Sequence, residues 1–371
     1  MKTQRKDIIL TFLLIILLAL SGLAAGCSNG QKTDQPADVS KPAGETITVT
    51  DCIGRNVTIP AHPQRIACLC PESGHALALF GQGDKIVAAV GGMQRDLLLV
   101  EMYPHVKDVP VPKNSGAINI EELAKCNPDI VFVKGDTAGN SAEADKMNKS
   151  GIPFLVIEFN NMIEQQRYMT MIGEALGNPD PAQKYNQYYQ HCIKRVADKV
   201  ADIPEKDRIR VYHSVNEATR TDTKGTLPAD WLQAVGAKNV SVDQDLKLFD
   251  GKYYASLEQI LLWDPEFILV NDPNVVGYIM NHEHWRSLQA VKNNRVLALP
   301  NGISRWGHFS SLETPLAVMW TAKTLYPDKF TDIDMVAETK YFYKEFFRMD
   351  LNDETVQKIL SGEGMRISKN Q

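Results

Sequence analysis

INIEELAKCNPDIVFV at residues 118–133 has a second copy, ASLEQILLWDPEFILV, at residues 255–270, and the two align without a gap. Each copy opens with a helix-capping pattern, Asn119 followed by Glu122 in one and Ser256 followed by Gln259 in the other. Each then continues as a short helix, turns at a proline and ends in an apolar run typical of a buried strand. We therefore predict that the chain contains two copies of one α/β unit.

Apolar strand-like runs alternate with helical segments around both copies, which is typical of parallel βαβ units. The runs are residues 65–69, 86–90, 130–133 and 154–157 in the first half and 210–212, 267–270 and 296–299 in the second. A small hairpin, 47–51 with 56–59, comes before them. Residues 162–200 are helical with a break at 177–181, and their apolar side chains recur at three- and four-residue steps. The predicted fold class is α/β, with two Rossmann-like lobes (46–161 and 206–371) joined by a long helical segment (162–205).

The first 26 residues have the composition of an export signal. Three basic residues precede an almost wholly apolar stretch, residues 8–20, which is too short to span a bilayer. The following Leu-Ala-Ala-Gly-Cys at 23–27 resembles a bacterial lipobox, in which Cys27 takes a diacylglycerol and becomes the first mature residue. Residues 27–45 are small and polar, typical of a flexible tether. We expect an exported protein anchored through lipid to the outer face of the cell membrane.

The composition excludes several classes of protein. A chain of 371 residues with 44% hydrophobic and 23% charged residues is long enough for two or three folded domains and is not disordered. Its formal net charge of -5 provides no general basic field for a nucleic acid. Five cysteines follow Cys27, an odd number, so no disulfide framework is predicted.

Short motifs occur in a characteristic order between residues 46 and 329. They are VTD at 49–51, GR at 54–55, IP at 59–60, PQRI at 63–66, GQGDKIV at 81–87 and the two related segments at 118–133 and 255–270. With the lipobox and the repeated lobes, they resemble the iron-chelate and cobalamin class of ABC-transporter substrate-binding proteins. The resemblance implies a class III periplasmic-binding-protein fold, in which two lobes joined by a rigid helix face each other across a shallow cleft and move little.

The same resemblance implies a partner, an ABC permease dimer with its ATPase, and a monomeric binding protein. In that class one exposed glutamate at the start of a helix in each lobe pairs with arginines of the permease. Glu121 and Glu258 occupy the matching positions here. The simpler alternative is that each carboxylate only complements the dipole of its own helix.

Residues that directly follow the predicted strands are the candidates for binding a ligand, because ligands of open α/β sheets lie beyond the carboxyl ends of the strands. These candidates are Glu72, Arg95, Lys134, His213, Arg305, Trp306 and His308. Arg305 suits an anionic chelate, Trp306 the flat face of a ligand, and His308 an open metal position.

No intrinsic cofactor and no enzymatic activity are predicted, because none of the catalytic motifs for hydrolases, metalloproteases or P-loop enzymes is present. The cargo predicted first is an iron(III) chelate, a ferric siderophore, since Arg95, Lys134 and Arg305 favour an anion. Haem, cobalamin, a nickel complex or an oxyanion remain alternatives within the same fold. Two more hypotheses are a lipoprotein that binds a free metal, with residues 282–284 as its only histidine cluster, and a purely sensory binding protein.

Overall fold

The computed structural model describes residues 44–363 and 365–367, which belong to one compact unit, Gly44–Gln371. The predicted signal peptide, the predicted lipidation site Cys27 and nearly all of the predicted tether lie outside the described residues. Within the described part of the chain, no helix is both long and apolar enough to cross a membrane.

The N-terminal lobe is built on a four-stranded parallel sheet. Its strands and helices, with the helices that follow it, are β1 (Thr46–Thr50), β2 (Asn56–Pro60), β3 (Ile66–Cys68), α1 (Pro71–Leu79), β4 (Ile86–Ala88), α2 (Leu97–Met102), β5 (Lys113–Asn114), β6 (Ala117–Ile118), α3 (Ile120–Lys125), β7 (Ile130–Lys134), α4 (Gly135–Gly139), α5 (Ser141–Ser150), β8 (Phe154–Ile157), α6 (Met162–Ala175) and α7 (Asp180–Val200). The sheet order is β4-β3-β7-β8, and β1 and β2 form the predicted antiparallel hairpin.

The C-terminal lobe repeats this plan with a second four-stranded parallel sheet, in the order β11-β9-β14-β15. Its elements are β9 (Arg210–Ser214), β10 (Arg220–Thr221), α8 (Leu227–Ala234), β11 (Lys238–Asn239), β12 (Lys247–Phe249), β13 (Lys252–Tyr254), α9 (Leu257–Trp263), β14 (Phe267–Val270), α10 (Pro273–Asn281), α11 (Gln289–Lys292), β15 (Val296–Ala298), α12 (Thr314–Leu325), α13 (Met335–Phe342) and α14 (Asp353–Leu360). Strands β10, β13 and β12 form a separate small antiparallel sheet that sequence analysis did not predict.

The two copies of the repeated sequence have the same local structure, α3 followed by β7 and α9 followed by β14. A residue with positive φ follows each helix, Asn127 at 45° two residues after the end of α3 and Asp264 at 39° directly after α9, and it turns the chain into the following strand. Asn119 and Ser256 accept hydrogen bonds from backbone amides as predicted, and Ser256 also completes a reciprocal capping box with Gln259. The repeat in the sequence therefore corresponds to a repeat in the structure.

Helix α7 joins the lobes through its tyrosines. The hydroxyl of Tyr185 donates to the carbonyl of Leu312 (2.7 Å), and that of Tyr189 donates to Gln165 Oε1 (2.8 Å). Gln165, on α6, in turn donates to the carbonyl of Ser311 (2.7 Å). One hydrophobic core includes buried side chains of both lobes and of α7. The prediction of two α/β lobes joined by a long helix is confirmed.

The C-terminal end of the chain contacts both lobes, which sequence analysis did not predict. A backbone hydrogen bond ties α14 to the segment after β15 in the C-terminal lobe. Beyond α14, the amide of Ile367 donates to the carbonyl of Arg95 (3.0 Å), and the carbonyl of Met365 accepts from the amide of Leu97 (3.3 Å). Residues 365–367 therefore lie against the N-terminal lobe.

Candidate ligand-binding cleft

A cavity of about 440 Å³ lies where the carboxyl ends of the strands of the two lobes face each other. The N-terminal lobe lines it with residues that follow β7 and β8 and with Glu72 of α1, and the C-terminal lobe with 220–222, 250–253 and Phe309. A neighbouring cavity of about 580 Å³ is larger, but none of the predicted ligand residues lines it. We place the candidate site in the smaller cavity because it lies where parallel sheets bind ligands.

Cations from both lobes converge on one aromatic ring in this cavity. The Lys134 ammonium, at the end of β7, lies 5.6 Å from the centre of the Phe309 ring, and the Arg220 guanidinium lies 5.5 Å from the same point. The Phe309 ring in turn lies 4.0 Å from the ring of His308. We call Lys134 and Arg220 the basic cluster.

His308 lies beside the basic cluster, next to Phe309, and does not itself line the cavity. Burial, followed by the charges of Arg305, Lys134 and Arg220, lowers the pKa of His308 well below its ordinary value, so its ring is neutral. Its Nε2 atom is buried and has no hydrogen-bond partner. The predicted contact of His308 with an open metal position would therefore require a movement of the loop.

The loop 301–308 owes its shape to the buried carboxylate of Glu313. This carboxylate accepts hydrogen bonds from the Ser304 amide (2.8 Å), the Ser304 hydroxyl (2.7 Å) and the Tyr343 hydroxyl. A fourth hydrogen bond comes from the indole of Trp306. A Cβ atom at Gly302 would lie about 2 Å from both Tyr343 and Glu313, so only glycine fits there. These four hydrogen bonds fix the loop that carries Arg305 and His308.

The expectation that Trp306 stacks on a ligand disagrees with its position. Trp306 is fully buried, and its Nε1 donates to Glu313 Oε1 at 2.9 Å. The ring is therefore part of the support of the loop and offers no face to the cavity. In the sequence Trp306 is next to Arg305, but the orientation of its ring depends on the hydrogen bond to Glu313, which the sequence of the loop alone does not predict.

Arg305 and Arg95 lie beside a third arginine, Arg366, outside the lining of the cavity. Arg305 donates to Asn216 Oδ1, and Arg95 donates to the carbonyl of Gly91 (3.2 Å). Arg366 forms an ion pair with the buried Asp96 at 2.5 Å. Neither predicted arginine therefore lines the cavity, and the C-terminal end of the described chain adds a further positive charge near them.

His213 is placed behind the cavity. It is fully buried, does not line the cavity, and its Nδ1 pairs with Asp222 Oδ2 at 2.5 Å. Asp222 does line the cavity, and its Oδ1 has no hydrogen-bond partner. His213 therefore does not reach the cavity directly, and the residue that lies between it and the cavity is Asp222.

Glu72 lines the cavity as predicted. Its side chain is 2% exposed, and its Oε2 atom has no hydrogen-bond partner. An unpartnered carboxylate oxygen is costly to bury, and this one lies in the cavity lining, where a ligand could supply the missing donor.

Glu121 and Glu258 are both exposed in the first turns of the equivalent helices α3 and α9. The amide of its own residue and the hydroxyl of Ser256 lower the pKa of Glu258, so it is ionised. Both carboxylates are available to a partner.

Sequence reasoning missed Arg220, Phe309 and Arg366. Arg220 belongs to strand β10 of the small antiparallel sheet. It was missed because only residues directly after a predicted strand were considered, and Arg220 lies further along the chain from the end of β9. Phe309 directly follows His308, the last residue of its loop that was considered as a ligand candidate. Arg366 belongs to the C-terminal end, whose contact with the other lobe has no signal in the sequence.

The described residues contain no group of three or more His, Cys, Asp or Glu side chains placed to hold a metal ion. The five cysteines they include are free thiols.

Residues 66–302 match the family model described as periplasmic binding protein. Among characterised relatives, the molybdate-binding protein MolA of Haemophilus influenzae is 26% identical over 81% of this chain and 90% of its own length. The iron(3+)-hydroxamate-binding protein YxeB of Bacillus subtilis is 25% identical, over 79% of this chain and 89% of its own.

Solved structures support the same fold. The molybdate-bound structure of Haemophilus influenzae MolA has a TM-score of 0.74 at 25% identity and covers 82% of this chain and 99% of its own. The nickel–histidine complex of Helicobacter pylori CeuE, at 22% identity and a TM-score of 0.69, covers 85% of this chain and 99% of its own. The predicted resemblance is thus confirmed, and the chain belongs to the periplasmic binding protein family, with the class III fold.

Proposed function

We propose that this protein is the extracytoplasmic solute-binding component of an ABC importer, and that its cargo is a small anion containing a metal. A ferric siderophore is the first candidate for that cargo. The protein binds its cargo between the lobes and releases it unchanged to the permease, so no catalytic role is included in the proposal.

The observation that carries the proposal is the basic cluster: the Lys134 ammonium and the Arg220 guanidinium lie 5.6 Å and 5.5 Å from the centre of the Phe309 ring, which lines the cavity. Two cations this close repel one another, and a bound anion between them would relieve that repulsion. Because Lys134 belongs to one lobe and Arg220 to the other, an anion between them would also link the lobes. Charge-assisted hydrogen bonds of this kind are stronger than neutral ones.

The size and chemistry of the cavity favour a chelate. A volume of about 440 Å³ accommodates a ligand of many atoms, as small-molecule sites of a few hundred Å³ do. Its lining combines the cations of the basic cluster and Lys252 with the ring of Phe309 and with five carboxylates, Glu72, Asp136, Glu158, Asp222 and Asp250. A ferric siderophore likewise combines a charged iron centre with an organic body that carries polar groups.

A molybdate-type oxyanion is the second candidate. It is favoured by the likeness to MolA, which holds both in sequence, at 26% identity, and in structure, at a TM-score of 0.74. An oxyanion needs hydrogen-bond donors and positive charge, and the basic cluster supplies both.

The remaining parts of the proposal concern the membrane. Cys27 would carry the lipid that anchors the chain outside the cell membrane, and Glu121 and Glu258 would pair with cations of the permease. Their exposure and their equivalent places in the two lobes support the docking role. Exposed ion pairs add little affinity, so their effect is mainly on orientation.

Titration of the purified protein with a panel of cargoes tests the proposal. Tryptophan fluorescence would be followed on addition of a ferric hydroxamate, a ferric catecholate, haem, cobalamin, nickel–histidine and molybdate. We expect saturable quenching at micromolar concentration or below by a ferric chelate or by molybdate. Binding of only an uncharged or cationic cargo would contradict the anionic assignment.

Two matched variants locate the site. Arg220→Gln removes a charge of the basic cluster, and we expect it to weaken binding of every anion roughly tenfold to a hundredfold. Arg286→Gln makes the same change at an exposed position outside the cavity and should leave affinity unaltered. Equal effects of the two changes would exclude the basic cluster as the binding site.

A further inference from the structure

The neighbouring cavity of about 580 Å³, which we call the second cavity, adjoins the cavity of the candidate cleft and shares Asn160 and Thr226 with it. Three parts of the chain line it: the loop between β8 and α6, the segment between α7 and β9, and the part of the C-terminal lobe from Lys224 to Asp243. Its volume is that of a site for a small molecule. A ligand in it would contact both lobes and the segment that connects them.

Two hydrogen-bond donors in the lining of the second cavity have no acceptor. Arg208 Nε and Asn239 Nδ2 are both buried atoms without a hydrogen-bond partner. The orientation of the Asn239 carboxamide is fixed, because its Oδ1 accepts from the amide of Ser241 (3.2 Å). Since an unpartnered donor is costly to bury, both groups favour an acceptor inside the cavity.

The two donors lie on adjacent segments of the chain. Strand β11, which contains Lys238 and Asn239, pairs in parallel with β9, and the amide of Lys238 donates to the carbonyl of Ile209, the residue after Arg208 (2.9 Å). Lys238 also lines the cavity, at an exposed position. Arg208, Lys238 and Asn239 therefore present two cations and a carboxamide to one part of the lining.

The carboxylates of the same lining leave these cations unpaired. Asp243 pairs with Lys224 at 3.8 Å, and Asp230 accepts from the amide of the first residue of α6 (2.9 Å). Glu205, the third carboxylate, is exposed. Among the described residues, no carboxylate forms an ion pair with the side chain of Arg208. A ligand that brings its own negative charge would supply the missing partner.

We propose that the second cavity binds the oxyanion group, a carboxylate or a phosphate, of a small molecule other than the cargo. Arg208 and Asn239 donate hydrogen bonds to the oxygens of this group, and Lys238 adds a positive charge. This site goes beyond the proposed function, because none of these three residues lines the cavity of the cleft.

Equilibrium dialysis of the purified full-length protein against radiolabelled citrate and radiolabelled inorganic phosphate tests the proposal. The two probes represent the carboxylate and the phosphate, and we expect at least one of them to bind at about millimolar concentration or below. Asn239→Asp replaces the unpartnered NH2 group with an oxygen and keeps the oxygen that accepts from Ser241. We expect it to weaken binding of the probe roughly tenfold or more, and Arg208→Gln to do the same.

Asn148→Asp is the matched control for the first variant. It makes the same exchange at an exposed position on α5 that lines neither cavity, so binding of the probe should be unaltered. An equal loss in this variant would show that the added charge acts without contact and would overturn the proposal.

Arg220→Gln distinguishes the second cavity from the cleft. A probe bound in the second cavity should bind to this variant as to the wild type. If the probe is lost from Arg220→Gln and retained by Asn239→Asp, the anion lies in the cleft, so the second site is refuted and the proposed function stands. Absence of binding by both probes would also overturn the second site, and it would leave the result of the cargo titration unaffected.

Discussion

His308 is half-buried beside positive charges, and its behaviour follows from that place. Burial of the ring first, and then the charges of Arg305, Lys134 and Arg220, disfavour a protonated imidazole, which is why its pKa lies well below the ordinary value. The neutral ring is therefore retained at pH values where a free histidine would be protonated.

Stability should depend on pH through this residue. The unfolded chain binds a proton at His308 below about pH 6.5, and the folded protein does so only at lower pH. The free energy of unfolding should thus fall as the pH drops below 6.5, by at most about 1.4 kcal/mol per pH unit for this group. Above that pH the effect is absent.

Urea unfolding at about pH 7.5 and about pH 5.5 measures the effect. We expect His308→Asn to lose less stability between the two values than the wild type does. His284→Asn, at an exposed site, should lose as much as the wild type. Identical losses in all three proteins would show that His308 titrates normally.

Among the elements, the strands of the parallel sheets were the most predictable. Strands β8 and β14 begin and end where their apolar runs do, because a strand buried on both faces must be apolar throughout. The small sheet of β10, β12 and β13 was missed for the opposite reason. All three residues of β12 are exposed, so no burial pattern marks it.

The site was predictable only in part. The rule that ligands lie beyond strand ends led to Glu72 and Lys134, which line the cavity, and to Arg305 and His308, which do not. It gave no orientation for Trp306, because that depends on Glu313 and Tyr343, which come later in the chain. Contacts between distant segments, such as those of Arg366, are set by tertiary packing and leave no local signal.

The loop 301–308 should lose its shape when Glu313 cannot accept all its hydrogen bonds. Glu313→Gln replaces one acceptor oxygen with an NH2 group that faces other donors. We expect a loss of about 2–3 kcal/mol in the free energy of unfolding and weaker cargo binding by the variant that remains folded. Urea unfolding and the cargo titration measure the two effects.

Glu174→Gln, at an exposed position on α6, is the control for this change and should alter neither quantity. Full stability of Glu313→Gln, with unaltered affinity, would mean that the four hydrogen bonds do not support the loop.

At the scale of the whole molecule, the lobes share one core and are tied together by α6 and α7. Helix α7 has 21 residues and is therefore about 30 Å long. The bonds from Tyr185 and Gln165 to residues 311–312 hold it and α6 against the segment that leads into α12. Such a connection favours small movements of the lobes, as the proposed docking of both lobes on one permease would require.

Replacing both docking residues should separate binding from delivery. The double variant Glu121→Ala, Glu258→Ala should bind cargo with unaltered affinity, because neither side chain lines the cavity. Uptake of cargo into vesicles that contain the permease and ATPase should be abolished. Loss of affinity in the titration would refute the docking assignment, and Glu174→Ala should retain both properties.

Both ends of the described chain are attached to the same lobe. Strand β1 is hydrogen-bonded into the hairpin beside β8, and residues 365–367 pair with the segment around Asp96. A donor and acceptor dye fused at the two ends would therefore report almost nothing about movement between the lobes. An energy-transfer sensor for cargo needs one of its dyes within the C-terminal lobe, for example on the exposed α10 at Tyr278.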